Sequence, residues 1–141
     1  MASTVMLALF QIQTSLRFSH WRSKSYSEHK ALDKFLDKFN DKMDEFIETY
    51  QGKYGRIYFK NSQKELSVLK IEDLNKYLDV LIGFFIGKSE KDCKKFKLSG
   101  NKDYCGITVM DIVKKDDTDL LNIRDEILGL IHKLKYLLTL Q

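Results

Sequence analysis

The chain has 141 residues, of which 43% are hydrophobic and 31% are charged, and its formal net charge is +4. This length and balance indicate one soluble globular domain over residues 1–141, large enough for a sizeable core, and no second domain is needed. The charge is spread along the sequence, so it permits weak attraction to nucleic acid without requiring it.

The sequence contains no proline and only seven glycines. Because these two residues interrupt helices and supply the turns of sheet proteins, their scarcity predicts an all-α protein with long helices. Cys93 and Cys105 have no neighbouring histidine, so they do not form a zinc site, and we expect both thiols to be reduced.

The N-terminal stretch lacks the basic start and the small-residue cleavage site of a secretory signal. Every apolar run is too short to span a bilayer. We therefore expect an intracellular, cytoplasmic protein without a membrane segment.

The first two predicted helices are separated by a tight turn at residues 23–25. The first helix covers about residues 3–24 because an apolar stripe recurs there at helical spacing. The members of the stripe are Val5, Leu9, Ile12 and Leu16. A Ser-Tyr-Ser-Glu capping box then predicts that Ser25 begins the second helix and that Glu28 reaches back to it. This helix is predicted to end at Gln51.

A long connection over residues 53–70 follows the second helix. Apolar and polar residues alternate around Ile57 and Phe59, which favours a short extended piece or a helical turn. The connection is long enough to run along a whole bundle, as it does where the second and third helices are parallel. The third helix, predicted over residues 71–88, is apolar on nearly all sides toward its end, so we expect the fold or another subunit to bury it.

A basic segment over residues 89–115 separates the third helix from the fourth. It predicts a surface loop with a brief helix near Val109. Its clustered lysines are Lys91, Lys94, Lys95 and Lys97. This loop is a candidate contact for nucleic acid, although neither an aromatic platform nor a known motif accompanies it. The fourth helix begins at the acidic residues 116–119 and continues as an apolar repeat to Leu138.

The second helix carries a polar stripe beside its apolar face. At about 100° per residue, this stripe comprises His29, Asp33, Asp37, Asn40, Asp44 and Glu48. His29 and Asp33 are four residues apart, as are Asp44 and Glu48, so each pair can direct two ligand atoms toward one point. Repulsion between neighbouring acids such as Asp33 and Asp37 would be relieved by a metal ion or by a partner.

An ordinary solvated helix face explains the same residues. Lysines precede the acids by three residues and can neutralise them as surface ion pairs. These lysines are Lys30, Lys34, Lys38 and Lys42. His20, on the apolar stripe of the first helix, can equally be a hydrogen-bonded core residue, and Trp21 a packing residue. The residues alone do not decide whether the stripe is a metal site or a solvated helix face.

The order of these residues resembles the motif of the Dps family, the miniature ferritins. The matching positions are His20, Trp21, His29, Asp33, Asp44 and Glu48. The resemblance implies a ferritin-like four-helix bundle with a long connection between helices two and three. It also implies a homo-oligomer, at least a dimer.

The resemblance further implies a site for iron oxidation between subunits. The two histidines and the first aspartate of one subunit would face the second aspartate and the glutamate of a neighbour, so the predicted metal ligands are His20, His29, Asp33, Asp44 and Glu48. Imidazole and carboxylate together suit Fe(II), with Mn or Zn as competitors. The chain is also similar to small ferritin-like proteins of unknown role from phages and large DNA viruses, which would place it in a host cell or a virion.

The chain departs from the family pattern in the first turn. His29 follows His20 by nine residues, a shorter spacing than in the family, and the usual glycine of this turn is missing. The sequence contains no Glu-x-x-His, which excludes the usual di-iron site inside the bundle of larger ferritins. The alternative function is therefore the same bundle with a degenerate site, acting as a structural or protein-interaction module.

Overall fold

The computed structural model describes residues 1–58, 68–88 and 106–140. These residues form four α-helices: α1 (Ala2–Trp21), α2 (Tyr26–Tyr54), α3 (Leu74–Ile86) and α4 (Thr118–Leu138). In the described part of the connection between α3 and α4, a 3-10 turn covers Val109–Asp111, where the sequence predicted a brief helix. No strand occurs in the described ranges, so the all-α four-helix prediction is confirmed.

Helix α2 is at the centre of the packing, since it contacts both α1 and α4, and α4 in turn contacts α3. The apolar stripes predicted from the sequence face one another and form one core. The largest fully buried side chains are Leu9, Ile12, Leu16, Leu32, Leu36, Phe39, Leu78, Leu81, Phe85, Leu120, Ile127 and Ile131. No helix in the described ranges combines the length and apolar character needed to cross a membrane.

The helix ends differ by a few residues from the sequence prediction. Helix α2 continues to Tyr54 and stops at Gly55, whose φ of 91° is favourable for glycine and not for other residues. Helix α3 begins later than predicted because the Asp73 carboxylate accepts the Lys76 backbone N–H at 3.1 Å. It ends earlier because Gly87 adopts the left-handed conformation. Local capping therefore sets ends that hydrophobic periodicity does not reveal.

Part of the predicted loop structure lies outside the described residues. This applies to Phe59 in the long connection, to Cys93 and Cys105, and to the four clustered lysines of the basic segment. Ile57, which is described, lies in neither a helix nor a strand.

A buried carboxylate joins the end of α2 to the start of α4. Asp117 accepts hydrogen bonds from the Lys53 ammonium at 2.8 Å, from the Tyr54 hydroxyl, and from the Lys114 backbone N–H at 2.9 Å. The bond from Lys53, followed by those from Tyr54 and Lys114, lowers the pKa of Asp117 to about 2. The same carboxylate raises the pKa of Tyr54 to about 12, chiefly by accepting its hydrogen bond.

Phe39 tests the core, because it is fully buried on α2 between the other helices. We expect Phe39→Ala to lower the free energy of unfolding by about 3–5 kcal/mol, since it removes buried surface and leaves a cavity. Chemical denaturation monitored by circular dichroism measures this change, with Asn122→Ala at an exposed position of α4 as the control. A loss below about 1 kcal/mol would contradict the packing described.

Asp117→Asn tests the link between α2 and α4. The folded pKa of Asp117 lies below its ordinary value, so the carboxylate stabilises the fold above about pH 4 and loses that effect as the pH falls toward 2. We expect the variant to melt at a lower temperature than the wild type at neutral pH, and the difference to shrink in acid. A difference that is independent of pH would show that the charge of Asp117 is not the stabilising feature.

Candidate metal centre

The turn between α1 and α2 is closed by its own polar groups. Helix α1 ends where the Arg22 backbone N–H bonds to the Phe18 carbonyl at 3.0 Å. Ser25 caps α2 as predicted, accepting the Glu28 backbone N–H at 3.4 Å. The Glu28 carboxylate accepts a bond from the Ser23 hydroxyl at 2.9 Å, so only half of the predicted capping box forms. The turn thus lays the last residues of α1 beside the first residues of α2.

His20 and His29 face each other across this turn. The Nδ1 atom of His20 lies 2.9 Å from the His29 carbonyl oxygen, and the Nδ1 atom of His29 lies 2.9 Å from the His20 carbonyl oxygen. The two rings are stacked, with 3.9 Å between their centroids. His20 is buried, with 6% of its surface exposed, and His29 is half-buried. We call this arrangement the histidine bracket.

The bracket fixes which ring nitrogen carries the proton. A carbonyl oxygen can only accept a hydrogen bond, so each Nδ1 must be the donor. In the neutral imidazole the other nitrogen, Nε2, then keeps its lone pair. An Nδ1–H bonded to a backbone carbonyl is the usual support of a histidine that binds metal through Nε2. Both histidines are therefore held in the tautomer that leaves Nε2 available for coordination.

Asp33 is the carboxylate nearest to the bracket. Its Oδ1 atom lies 3.8 Å from Nε2 of His20, and more than half of its side chain is exposed. The sequence paired Asp33 with His29, one turn away on the same helix, but the structure places it against His20 on the neighbouring helix. The short turn therefore brings His20 beside Asp33, one of the other predicted ligands.

Asp44 and Glu48 are not part of this cluster. Both are exposed on α2, and Asp44 is eleven residues beyond Asp33, which corresponds to about 16 Å along a helix. Within the described part of one chain, no group of three or more histidine, cysteine, aspartate or glutamate side chains is placed to hold a metal ion. One chain thus places His20 beside both His29 and Asp33 without forming a three-ligand group, and it separates these residues from the other two predicted ligands.

The acidic stripe lacks most of the ion pairs that a solvated helix face would supply. Only Lys42 forms the predicted pair with an acid three residues later, reaching Glu45 at 3.1 Å. Among the described residues, Lys30, Lys34 and Lys38 form no ion pair. The ion-pair interpretation is therefore wrong at three of its four positions, and most of the acids face solvent without a lysine.

Exposed aromatic side chains on α1 are a feature that the sequence analysis missed. Phe10, Phe18 and Trp21 expose 49%, 43% and 63% of their surface, and the rings of Phe18 and Trp21 are 5.3 Å apart. Phe10 and Trp21 lie on the side of α1 opposite its buried stripe, whereas Phe18 lines a surface cavity with Leu69 and Ile71. Phe10 and Trp21 are eleven residues apart, about three helical turns, so their shared face could have been read from the sequence.

A hydrogen bond ties the two helices together further along the same face. The Gln13 amide of α1 donates to the Asn40 side-chain oxygen of α2 at 2.6 Å. Asn40 belongs to the polar stripe that also contains Asp33 and Asp44. The bracket and this bond therefore hold the side of α1 that carries Phe10 and Trp21 next to the polar stripe of α2, and we call the combined surface the α1–α2 face.

The comparisons with known proteins give a family and no function. Neither the curated proteins nor the solved structures contain a match to the chain. The model of DUF5856, a family of unknown function, matches residues 20–103, a range that begins at His20 and includes all five predicted ligands. Because this match covers more than half of the chain, the protein belongs to the DUF5856 family.

Proposed function

We propose that the protein is a Dps-like metal-binding protein that oxidises Fe(II) at a site shared by two subunits. The observation that carries this proposal is the histidine bracket. Its two Nδ1–H bonds leave an Nε2 lone pair on each imidazole, and Nε2 of His20 is beside the Asp33 carboxylate. A nitrogen donor of α1 and an oxygen donor of α2 that lie this close together form the beginning of a site for a divalent metal ion.

The separation of these two donors supports the proposal. Metal bonds to imidazole nitrogen and carboxylate oxygen are each about 2.0–2.2 Å long, so two ligands of one ion lie at most about 4 Å apart. The 3.8 Å between Nε2 of His20 and Oδ1 of Asp33 falls inside that limit. Exposure of Asp33 leaves its carboxylate free to adjust toward an ion.

Two ligands from another copy would complete the site. If two α2 helices cross in antiparallel fashion on a two-fold axis, Asp44 and Glu48 of each copy approach the bracket of the other, and the dimer contains two equivalent sites. The midpoint between the two groups of ligands falls on the polar stripe of α2 between Asp37 and Asn40, which places the axis there. The α1–α2 face would form this interface.

The exposed aromatic residues of α1 give a second copy an apolar surface to cover. Phe10 and Trp21 are exposed on the α1–α2 face, and aromatic side chains contribute strongly to interfaces when buried. A dimer that buried them would also bury acids that lack ion pairs, which is unfavourable unless a cation neutralises them. An apolar border around an acidic centre therefore suits an interface that contains a metal ion.

Fe(II) would be the substrate of this site. Histidine nitrogens and carboxylates bind Fe(II), and the carboxylates favour the more highly charged Fe(III) product. Oxidation removes one electron from each Fe(II), with dioxygen or hydrogen peroxide as the acceptor. The histidine bracket positions its two imidazoles, and Asp33, Asp44 and Glu48 supply the negative charge.

The second candidate function is a structural or interaction bundle in which this site is degenerate. The observation that favours it is that the bracket is complete without a metal ion, since both Nδ1 bonds and the ring stacking join α1 to α2 by themselves. In that case His20 and His29 serve only to pack α1 against α2. Measurement of Fe(II) oxidation separates the two functions.

Complementation between two inactive variants tests the shared site. We expect His29→Ala/Asp33→Ala and Asp44→Ala/Glu48→Ala each to lose Fe(II) oxidation. When the two are refolded together, half of the randomly formed dimers are mixed, and each mixed dimer regains one of its two sites. The mixture should therefore recover about one quarter of the wild-type rate. Absorbance of the Fe(III) product in air measures this rate.

The matched control is Asp37→Ala/Asp41→Ala, which removes two exposed acids of α2 that are not predicted ligands. It should oxidise Fe(II) at the wild-type rate. Activity that survives in both double variants, or a mixture that stays inactive although mixed dimers form, would contradict a shared site. A wild-type rate equal to that of buffer, in a folded dimer, would support the degenerate bundle.

A charged substitution on α1 tests the interface itself. We expect Phe10→Glu to give monomers at concentrations where the wild type is dimeric, because the buried charge would lack a partner. Analytical ultracentrifugation measures the mass. Trp21 is the only tryptophan of the chain, so its emission should shift to longer wavelength as the interface opens.

Tyr136→Glu is the control for this experiment, because Tyr136 is exposed to a similar extent on α4, away from the α1–α2 face. It should leave both the mass and the emission unchanged. Loss of the dimer in this control alone would place the interface on α4.

A further inference from the structure

A second unpartnered surface lies between α2 and α4, and the proposed function does not use it. It is a shallow groove with a pocket of about 40 Å³. Its floor is apolar, and only lysines rise around it. The floor residues are Ala31, Phe35, Leu130, Leu134 and Leu137. The rim consists of Lys34 and Lys38 on α2 and Lys133 on α4. We call this surface the lysine groove.

The lysines of this groove differ from those further along the same pair of helices. Lys42 pairs with Glu45 and with Glu126, and Lys53 pairs with Asp117 and Asp119. Among the described residues, none of the three rim lysines has an acidic partner. The lysines from Lys42 onward on α2 are therefore neutralised by acids. The three lysines at the rim of the groove have no acid within ion-pair distance among the described residues.

The spacing of the rim charges matches a helix lying along the groove. Lys34 and Lys38 are four residues apart, so they follow each other by one turn, about 6 Å along α2. Lys133 stands on the opposite rim. Two acids four residues apart on a ligand helix would meet the first two lysines, and a third acid would meet the last. The pocket in the floor has room for the end of one aliphatic side chain between them.

We propose that the lysine groove docks an acidic amphipathic helix of a partner protein. Charge complementarity selects acidic flanks, and the apolar floor selects an aliphatic row on the face that points inward. A nucleic acid would use the lysines but would leave the apolar floor exposed to water. The groove is on the α4 side of α2, so the helix can bind whether or not the α1–α2 face is occupied by a second copy.

The probe for the test is a fluorescein-labelled helical peptide of about 18 residues, with leucines at positions i, i+4 and i+7 and glutamates on both sides of them. We expect it to bind the full chain in a fluorescence anisotropy titration, and to bind more weakly as salt is raised. The same peptide with lysine in place of each glutamate should not bind. A peptide with alanine in place of each leucine should bind at least about tenfold more weakly.

Variants then locate the binding site. The triple variant Lys34→Gln/Lys38→Gln/Lys133→Gln should weaken binding of the acidic peptide about tenfold or more without changing Fe(II) oxidation. Ala31→Met, which fills the pocket and keeps all three charges, should also weaken it. The matched control is Lys24→Gln/Lys88→Gln/Lys115→Gln, three exposed lysines outside the groove, which should bind as the wild type does. Circular dichroism confirms that each variant is folded.

Several results would overturn the proposal. Equal binding by the triple variant and the wild type would exclude the rim lysines. If Ala31→Met binds normally while the triple variant does not, the surface attracts anions and does not dock a helix. Tighter binding of a single-stranded oligonucleotide, or of vesicles of phosphatidylserine and phosphatidylcholine, in competition with the peptide would assign the groove to nucleic acid or to membranes.

Discussion

The packing of α1 against α2 across a short turn is the constraint on which the candidate site depends. With only residues 22–25 between the helices, their facing ends lie side by side, and two imidazoles are brought into contact. Buried polar groups require hydrogen-bond partners, and each histidine finds one in the other's backbone carbonyl. These two hydrogen bonds close the turn, and they also fix the tautomer of each histidine. The same two bonds therefore determine both the local fold and the availability of the Nε2 lone pairs.

Helix α2 combines three different surfaces. Its apolar face forms the core with α1 and α4, its polar stripe lies next to α1, and its lysines border α4. Most of these lysines do not neutralise the acids of α2. Of the four lysines that have an acid three residues later, only Lys42 forms the ion pair. Asn40 of the polar stripe contacts α1, whereas Lys34 and Lys38 border α4, so the stripe and the lysines can each meet a different partner.

Periodicity in the sequence predicted the four helices, because burial of an apolar face leaves a pattern that can be counted. Ser25 as a cap and the turn near Val109 were also readable, since both depend on neighbouring residues. The contact of His20 with Asp33 was not readable, because it depends on how two helices cross. The ion pairs of Lys30, Lys34 and Lys38 were predicted wrongly, since a favourable spacing permits a surface pair but contributes too little energy to impose it.

Metal binding and dimer formation would be linked at a site of the proposed kind. One chain contributes a bracket that its own hydrogen bonds hold in place, so little ordering of those two imidazoles remains when an ion binds. The opposing cost is the approach of exposed acids from two copies, which repel one another in the absence of a cation. An ion that relieves this repulsion must strengthen the dimer by the same factor by which the dimer strengthens ion binding. A degenerate site would show no such coupling, because its acids would have no ion to share. The strength of the coupling, more than the presence of the histidines, therefore distinguishes a working site from a bundle that only keeps its geometry.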